Sequence, residues 1–341
     1  MIQEQLAKLV RGESLSEQEA EAAMTAIMTG ETSQAQTGAF LAALATKGET
    51  ADEVTGCARA MRRQASSARV ERRPLIDTAG TGGDGSQTFN ISTATAFVLA
   101  GAGLAVAKHG NRSATSRCGS ADVLEALGVD VQVAPQDAAR AVDDVGIGFL
   151  FAPAWHGAMR HAAGPRRELG VPTVFNMLGP LTNPLGAEFQ LLGVASRRIQ
   201  DLIAPALAAL GSRRALVVHG EGPLDEGSPI GTTWVVEVAG GKASAYTVEP
   251  EDAGIERTTL RDLKGGDPPT NAILLRNVLA GAAGPHRQAV LLNAALGLRA
   301  AEVERDLRTG VKLAAEVIDS GRAVAALEAL AGFSRRLEAK A

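Results

Sequence analysis

Apolar positions recur at helical spacing through roughly the first seventy residues. Ala20, Ala23, Met24, Ile27 and Met28 fall on one stripe; Phe40, Leu41 and Leu44 on a second; Val54, Cys57, Ala58 and Met61 on a third. A start signal precedes each stripe. Ser16 with Glu19, Ser33 with Gln36 and Thr50 with Glu53 have the spacing at which a hydroxyl and a carboxyl or amide satisfy free first-turn donors reciprocally. Gly30 and Gly48 follow the first two stripes as stops. The pattern predicts three helices joined by short loops, a small bundle, preceded by the polar, helical start MIQEQLAKLVRGESLS.

The period changes at Arg73-Pro74. LIDTAGTGGDG reads as a short buried strand running into a glycine loop, with a helix from about Ser92 to Ala100. LAVAKHG is a second strand into a second loop, and SADVLEALG a helix with Ser120 as its N-cap. IGFLF (147–151) and RALVVHG (214–220) are further strands with helices between, and VVEVAGGKASAYTVE (235–249) is a hairpin about Gly240-Gly241. From about Asn271 the pattern is helical to the end. Alternation of strand, loop and helix predicts an α/β domain with a largely parallel central sheet. The fold class is therefore α/β: a small all-helical domain plus a large α/β domain.

Composition narrows the function classes. Of 341 residues 45% are hydrophobic but only 3% aromatic, so the core is aliphatic and disorder is excluded. Net charge is −4 with both signs interspersed, which gives no electrostatic support for a nucleic-acid partner. Cys57 and Cys118 cannot build a structural zinc site alone and read as free thiols of a reducing compartment. No apolar run reaches the roughly 18 residues of a membrane span, and the start is not a signal peptide. The expectation is a soluble, cytoplasmic protein without a membrane partner.

Three loops in strand-end positions carry candidate chemistry, because ligands of open parallel sheets sit at the strands' carboxyl ends. In Gly80–Gly85 and Thr88–Thr93, glycines let backbone amides approach an anion, and Asn90, Ser92 and Thr93 stand at a helix N-terminus that favours phosphate. The spacing fits neither the Walker nor the dinucleotide-binding glycine motif, and a plain tight turn stays open. Lys108–Ser116 with Gly119-Ser120 packs charge, hydroxyls and glycine behind an apolar strand; the alternative is a solvated polar loop. Asp225-Glu226 taken alone reads first as an acidic turn; beside the other two loops, which demand charge neutralisation, it also suits a hard cation held against polyphosphate oxygens. Arg166 could pair bidentately with a carboxylate, or be an ordinary surface arginine.

GTGGDGSQTFNIST (80–93), KHGNRSATSRCGSADVLEALG (108–128), FNMLGPLTNP (175–184) and DEGSPIG (225–231), in this order, resemble the anthranilate phosphoribosyltransferases over nearly the whole chain. The resemblance implies the fold shared with pyrimidine nucleoside phosphorylases. Residues 1–72 would form the helical domain, with 170–188 returning to it, and 73–169 with 189–341 the α/β domain that binds phosphoribosyl pyrophosphate (PRPP). The implied activity is transfer of the 5-phosphoribosyl group from PRPP to the amine of anthranilate, an early step toward tryptophan. The implied PRPP site is Gly80, Gly83, Asp84, Thr88, Asn90, Ile91, Ser92, Thr93, Lys108, His109, Gly110, Asn111, Arg112, Ser113, Ala114, Thr115, Ser116 and Ser120. Ser92 and Glu226 would hold one magnesium ion, and Asp225 and Glu226 a second. Gly80, Asn111 and Arg166 would contact anthranilate, with His156 and Pro180 walling the channel through which it enters. A homodimer through the helical domain is implied as well. The resemblance also favours catalysis by positioning, with His109 as a weak candidate base; His161, His219 and His286 have no expected role. The rivals are a nucleoside phosphorylase on the same fold, using free phosphate without magnesium, and a non-catalytic nucleic-acid-binding relative. The acidic pair and KHGNRS speak against the first, and the acidic net charge against the second.

Overall fold

A computed structural model describes residues 2–113 and 116–338. Four helices open the chain: α1 (Gln3–Val10), α2 (Glu17–Met28), α3 (Gln34–Lys47) and α4 (Ala51–Gln64). All three reciprocal caps form, with Ser16, Ser33 and Thr50 accepting from the amides of Glu19, Gln36 and Glu53, whose side chains bond back. The three stripes meet in one core in which Met24, Ile27, Phe40, Leu41, Val54 and Cys57 are buried. Both cysteines are free and buried.

Glu53 does more than cap. Its Oε1 accepts from the Leu15 amide at 2.9 Å, and its Oε2 from the Thr50 amide at 2.8 Å and from Lys47 Nζ at 2.9 Å, all shielded from solvent. Glu53→Gln keeps the shape but leaves the buried Lys47 ammonium without its counter-charge. We expect a loss of about 2 kcal/mol, read as a lower urea midpoint at unchanged slope; an unmoved midpoint would show that solvent replaces the carboxylate.

Seven strands form one sheet in the order β3-β2-β1-β4-β5-β6-β7. β1 (Leu75–Asp77), β2 (Ala105–Gly110), β3 (Ile147–Phe151), β4 (Phe189–Gly193) and β5 (Arg214–Gly220) run parallel, and β6 (Thr233–Ala239) and β7 (Lys242–Val248) add an antiparallel hairpin. Helices α5 (Ile91–Gly101), α6 (Ser120–Ala126) and α7 (Pro135–Val145) alternate with the first strands. Period-two geometry sorts the strand residues between two faces. Leu191, Leu216, Val218 and Val235 join the core containing Phe97, Leu292 and Ile318, whereas Leu192, Val194, Ala215 and Val217 join that of the helical bundle.

Two local expectations need correction. β4 is absent from the strands read in the sequence; like β3 it is five residues long and buried along its length, so neither alternates and the pattern of FQLLG alone does not mark a strand. Ser120 is the first helical residue of α6 rather than its N-cap; Gly119 takes that place, and Asp122 Oδ2 accepts its amide at 2.8 Å.

After β3 the chain makes a short helix α8 (Ala152–Trp155) and crosses to the bundle. There α9 (Arg160–Leu169) packs on α2 and α3. The short helix α10 (Phe175–Leu178) and the turn Gly179–Leu181 follow, with Phe175, Leu178 and Leu181 buried in the bundle core and Arg62 Nε donating to the Leu181 carbonyl at 2.6 Å. The chain continues through α11 (Arg197–Ala209) after β4, and ends in α12 (Pro268–Leu279), α13 (Pro285–Ala300), α14 (Leu307–Asp319) and α15 (Arg322–Glu338). Among the described residues no helix is long and apolar enough to cross a membrane. The loops after β1, β2, β4 and β5 all leave the carboxyl edge of the sheet and share one rim.

Candidate functional site

On that rim lies a cavity of about 340 Å³, lined by residues 78–93, 108–113 and 118–120 with Ser116, Asn176, Gly193, Asp225 and Glu226. It gathers Gly80, Gly83, Asp84, Thr88, Asn90, Ile91, Ser92, Thr93, Lys108, His109, Gly110, Asn111, Arg112, Ser113, Ser116, Ser120, Asp225 and Glu226 from three distant stretches of sequence. Ala114 and Thr115 lie outside the described residues. A cleft of about 460 Å³ on the bundle, lined by Ile2, Glu21 and Arg63 among others, contains none of these residues.

The acidic turn docks into the glycine loop. Asp225 Oδ2 accepts the Gly82 amide at 2.8 Å, and Asp84 Oδ2 accepts the Asp225 amide at 3.2 Å. Glycine is required beneath it: a Cβ at Gly193 would overlap the Asp225 carbonyl, and one at Gly80 would stand 3.0 Å from Asp225 Oδ2. Asn90 caps α5 by position alone, its side chain being engaged with the Cys118 carbonyl and Asn271. The Ser92 amide in the first turn therefore stays available to an anion, and Glu226 Oε1 takes it at 3.1 Å.

Charge here is unbalanced. Burial and then the Asp84 carboxylate push Asp225 up to about 8; burial and then Asp225 push Glu226 well above its ordinary range. Lys108 is the counter-charge. Its buried Nζ donates to the Thr78 carbonyl (3.2 Å), Thr78 Oγ1 (3.1 Å) and Ser92 Oγ (3.4 Å), and burial pulls its pKa down against the attraction of Asp77, Glu226 and Asp225. Carboxylates that burial first, and then their neighbours' charge, hold protonated are a donor set suited to a hard divalent cation. Among the described residues no three His, Cys, Asp or Glu side chains form a cage. A cation here would complete its shell with ligand oxygens and water, the habit of magnesium with polyphosphates.

Arg112 lines the cavity with its charge already engaged. Its guanidinium is held by Glu125 at 2.6 and 2.7 Å and by Asp122 at 3.0 Å, and it stands over the Phe151 ring. His109 Nδ1 bonds the Gly179 carbonyl at 3.0 Å, so Nδ1 carries the hydrogen of the neutral ring, while the buried Nε2 has no partner among the described residues. Burial lowers His109 to about 4 and His156 to about 3, and the two rings lie 5.2 Å apart.

His156, Pro180 and Arg166 do not line the cavity. His156 is buried against His109, and Pro180 is buried with its carbonyl held by Gln190 Nε2 at 2.8 Å. Arg166, on α9, sits over the Phe175 ring at 4.7 Å, next to the cavity-lining Asn176. It has no carboxylate partner among the described residues, and burial lowers its pKa. Asn176 and Gly193 are cavity residues that the sequence reading misses. Asn176 lies inside a recognised segment without a signal of its own; Gly193 ends the strand that shows no alternation.

The chain matches the helical bundle domain of the glycosyl transferase family over residues 3–65 and the a/b domain of that family over residues 72–324. The anthranilate phosphoribosyltransferase of Desulforamulus reducens is 52% identical over 99% of this chain and 98% of its own. Among solved structures, the anthranilate phosphoribosyltransferase of Thermus thermophilus is 50% identical with a TM-score of 0.92, covering 97% of this chain and 99% of that one. The Saccharomyces cerevisiae enzyme in complex with PRPP and Mg is 30% identical with a TM-score of 0.90, covering 98% of each chain.

Proposed function

The chain belongs to the anthranilate phosphoribosyltransferase family, and from that premise we propose how its residues divide the work of the reaction. The enzyme is a glycosyltransferase that moves the 5-phosphoribosyl group of PRPP to the amine of anthranilate, giving N-(5-phosphoribosyl)anthranilate and pyrophosphate. The observation that carries the reading is the uncompensated Asp84, Asp225 and Glu226 cluster docked on a glycine loop opposite a buried lysine.

In this reading residues 80–93 and 108–120 cradle PRPP. The glycine-loop amides and hydroxyls meet its phosphate and ribose oxygens, and Lys108 adds positive potential from below. Ser92, Asp225 and Glu226 would hold magnesium, one ion on Ser92 and Glu226 and a second on Asp225 and Glu226. Magnesium, when bound, neutralises charge developing on the departing pyrophosphate. Gly80, Asn111 and Arg166 take anthranilate, Arg166 through its carboxylate, with His156 and Pro180 behind. The amine is uncharged near neutral pH and needs no base before attack. His109, held neutral and weakly basic by burial, orients rather than abstracts. Catalysis is then chiefly positioning, which can supply up to roughly 7–11 kcal/mol. Residues 1–72 and 170–188 act as the small domain, and two copies pair through it.

Anthranilate fluorescence should disappear only when PRPP and magnesium are both added. Persistence of the signal with correctly folded protein would refute the acceptor assignment. Magnesium also competes with the proton on Asp225. A raised carboxyl pKa means the proton is still bound below about 8, so magnesium affinity should tighten as pH rises from about 6.5 toward about 8. Calorimetric titration at the two pH values checks this, and equal affinities would place the ion elsewhere.

A further inference from the structure

Asp77 ends β1 and is wholly buried. Its Oδ1 accepts the backbone amides of His109 at 3.0 Å and Ala79 at 3.1 Å, and its Oδ2 accepts Asn183 Nδ2 at 2.8 Å. The same Asn183 amide donates to the Ala107 carbonyl at 2.8 Å, while Asn183 Oδ1 accepts the Leu185 amide at 3.0 Å. One carboxylate and one carboxamide thus join β1, β2 and the segment that returns from the helical bundle. His109 Nδ1 on Gly179 and Gln190 on Pro180 add two more ties to that segment.

A buried carboxylate is an expensive way to join three strands of chain, since apolar residues of similar volume pack without the desolvation penalty. Lys108, the nearest cation, spends its protons on Thr78 and Ser92, so neutral donors satisfy Asp77. Such a cluster is directional: it fixes the Asn183 segment in one register against β2, where an apolar contact would let it slide.

We propose that Asp77 is a positioning residue for the acceptor side of the active site, holding the His109 backbone and, through Asn183, the Pro180 segment in the geometry that receives anthranilate. This rests on the assignment of His156, Pro180 and Arg166 to the acceptor. Burial raises the Asp77 carboxyl to about 6, with the Asn183 hydrogen bond the largest effect opposing it.

The test is steady-state kinetics of D77N, N183D and the exchanged pair D77N/N183D beside the wild type. D77N sets two amide donors against each other. It should raise the anthranilate KM about tenfold while leaving the PRPP KM within about twofold. The exchange restores a donor facing an acceptor between positions 77 and 183 but leaves the Ala107 carbonyl without its donor, so it should recover part of that loss and the singles are not additive. Equal rises in both KM values, or strict additivity, would overturn the proposal. N183A, which leaves Asp77 its two backbone donors, carries the same KM split should D77N not fold. A wild type inactive on anthranilate would sink the acceptor reading; an active wild type whose variants show no split would sink only the role of Asp77.

Discussion

Asp225→Asn combined with Glu226→Gln lowers kcat by about a thousandfold and removes the response to magnesium. Both carboxylates already lie against backbone amides, of Gly82 and Ser92, so the neutral isosteres keep the turn in place. What disappears is the charge that draws in a cation. The melting temperature of the metal-free protein should not fall, because ionising either group in this crowded site opposes folding. The sign follows from the raised pKa values: the folded state holds protons that the unfolded chain releases, so stability from this site declines as pH rises from about 4 to about 8. Neutral side chains escape that decline. Rate measurements across magnesium concentrations with parallel thermal melts decide the matter; turnover with an unaltered magnesium dependence would remove the pair from the metal site.

Arg166→Ala raises the anthranilate KM by about a hundredfold and leaves the PRPP KM within about twofold, as expected when a charge-assisted bidentate contact to one substrate is deleted. The guanidinium is partly desolvated, stacked on Phe175, and free of any carboxylate partner among the described residues. A cation kept in that condition is poised for an anionic ligand. Arg166→Lys should recover little, since an ammonium lacks the planar fork and the stacking face. The KM pair for each substrate is the measurement. A parallel rise in both would show that Arg166 supports the cleft as a whole.

The helix starts are legible in sequence because a reciprocal cap is local: Ser16 with Glu19, Ser33 with Gln36 and Thr50 with Glu53 each lie within one turn. The parallel order of the recognised strands follows from strand, loop and helix alternation, and the glycine, KHGNRS and acidic loops are visible because their residue types are unusual at strand ends. β4 escapes although β3, as short and nearly as buried, is read, because doubly buried strands carry no period to separate them from other apolar runs. Arg112 lines the cavity, where Glu125, thirteen residues on, competes for its guanidinium. That competition depends on where α6 turns its carboxylates, which composition does not report.

By itself, then, the sequence determined the helical bundle, the α/β class and the polar loops that line the cavity, for these rest on patterns among residues a few positions apart. Tertiary structure alone decided how charge behaves. Asp225 meets Gly82 across 143 positions, Asp77 meets Asn183 across 106, and Lys108 lies beneath both sets of carboxylates. The protonation of the buried carboxylates and the ties between Asp77, Asn183 and the Pro180 segment are set by burial and by distances of about three ångströms. Such distances exist only once the sheet has brought its strand ends to one rim.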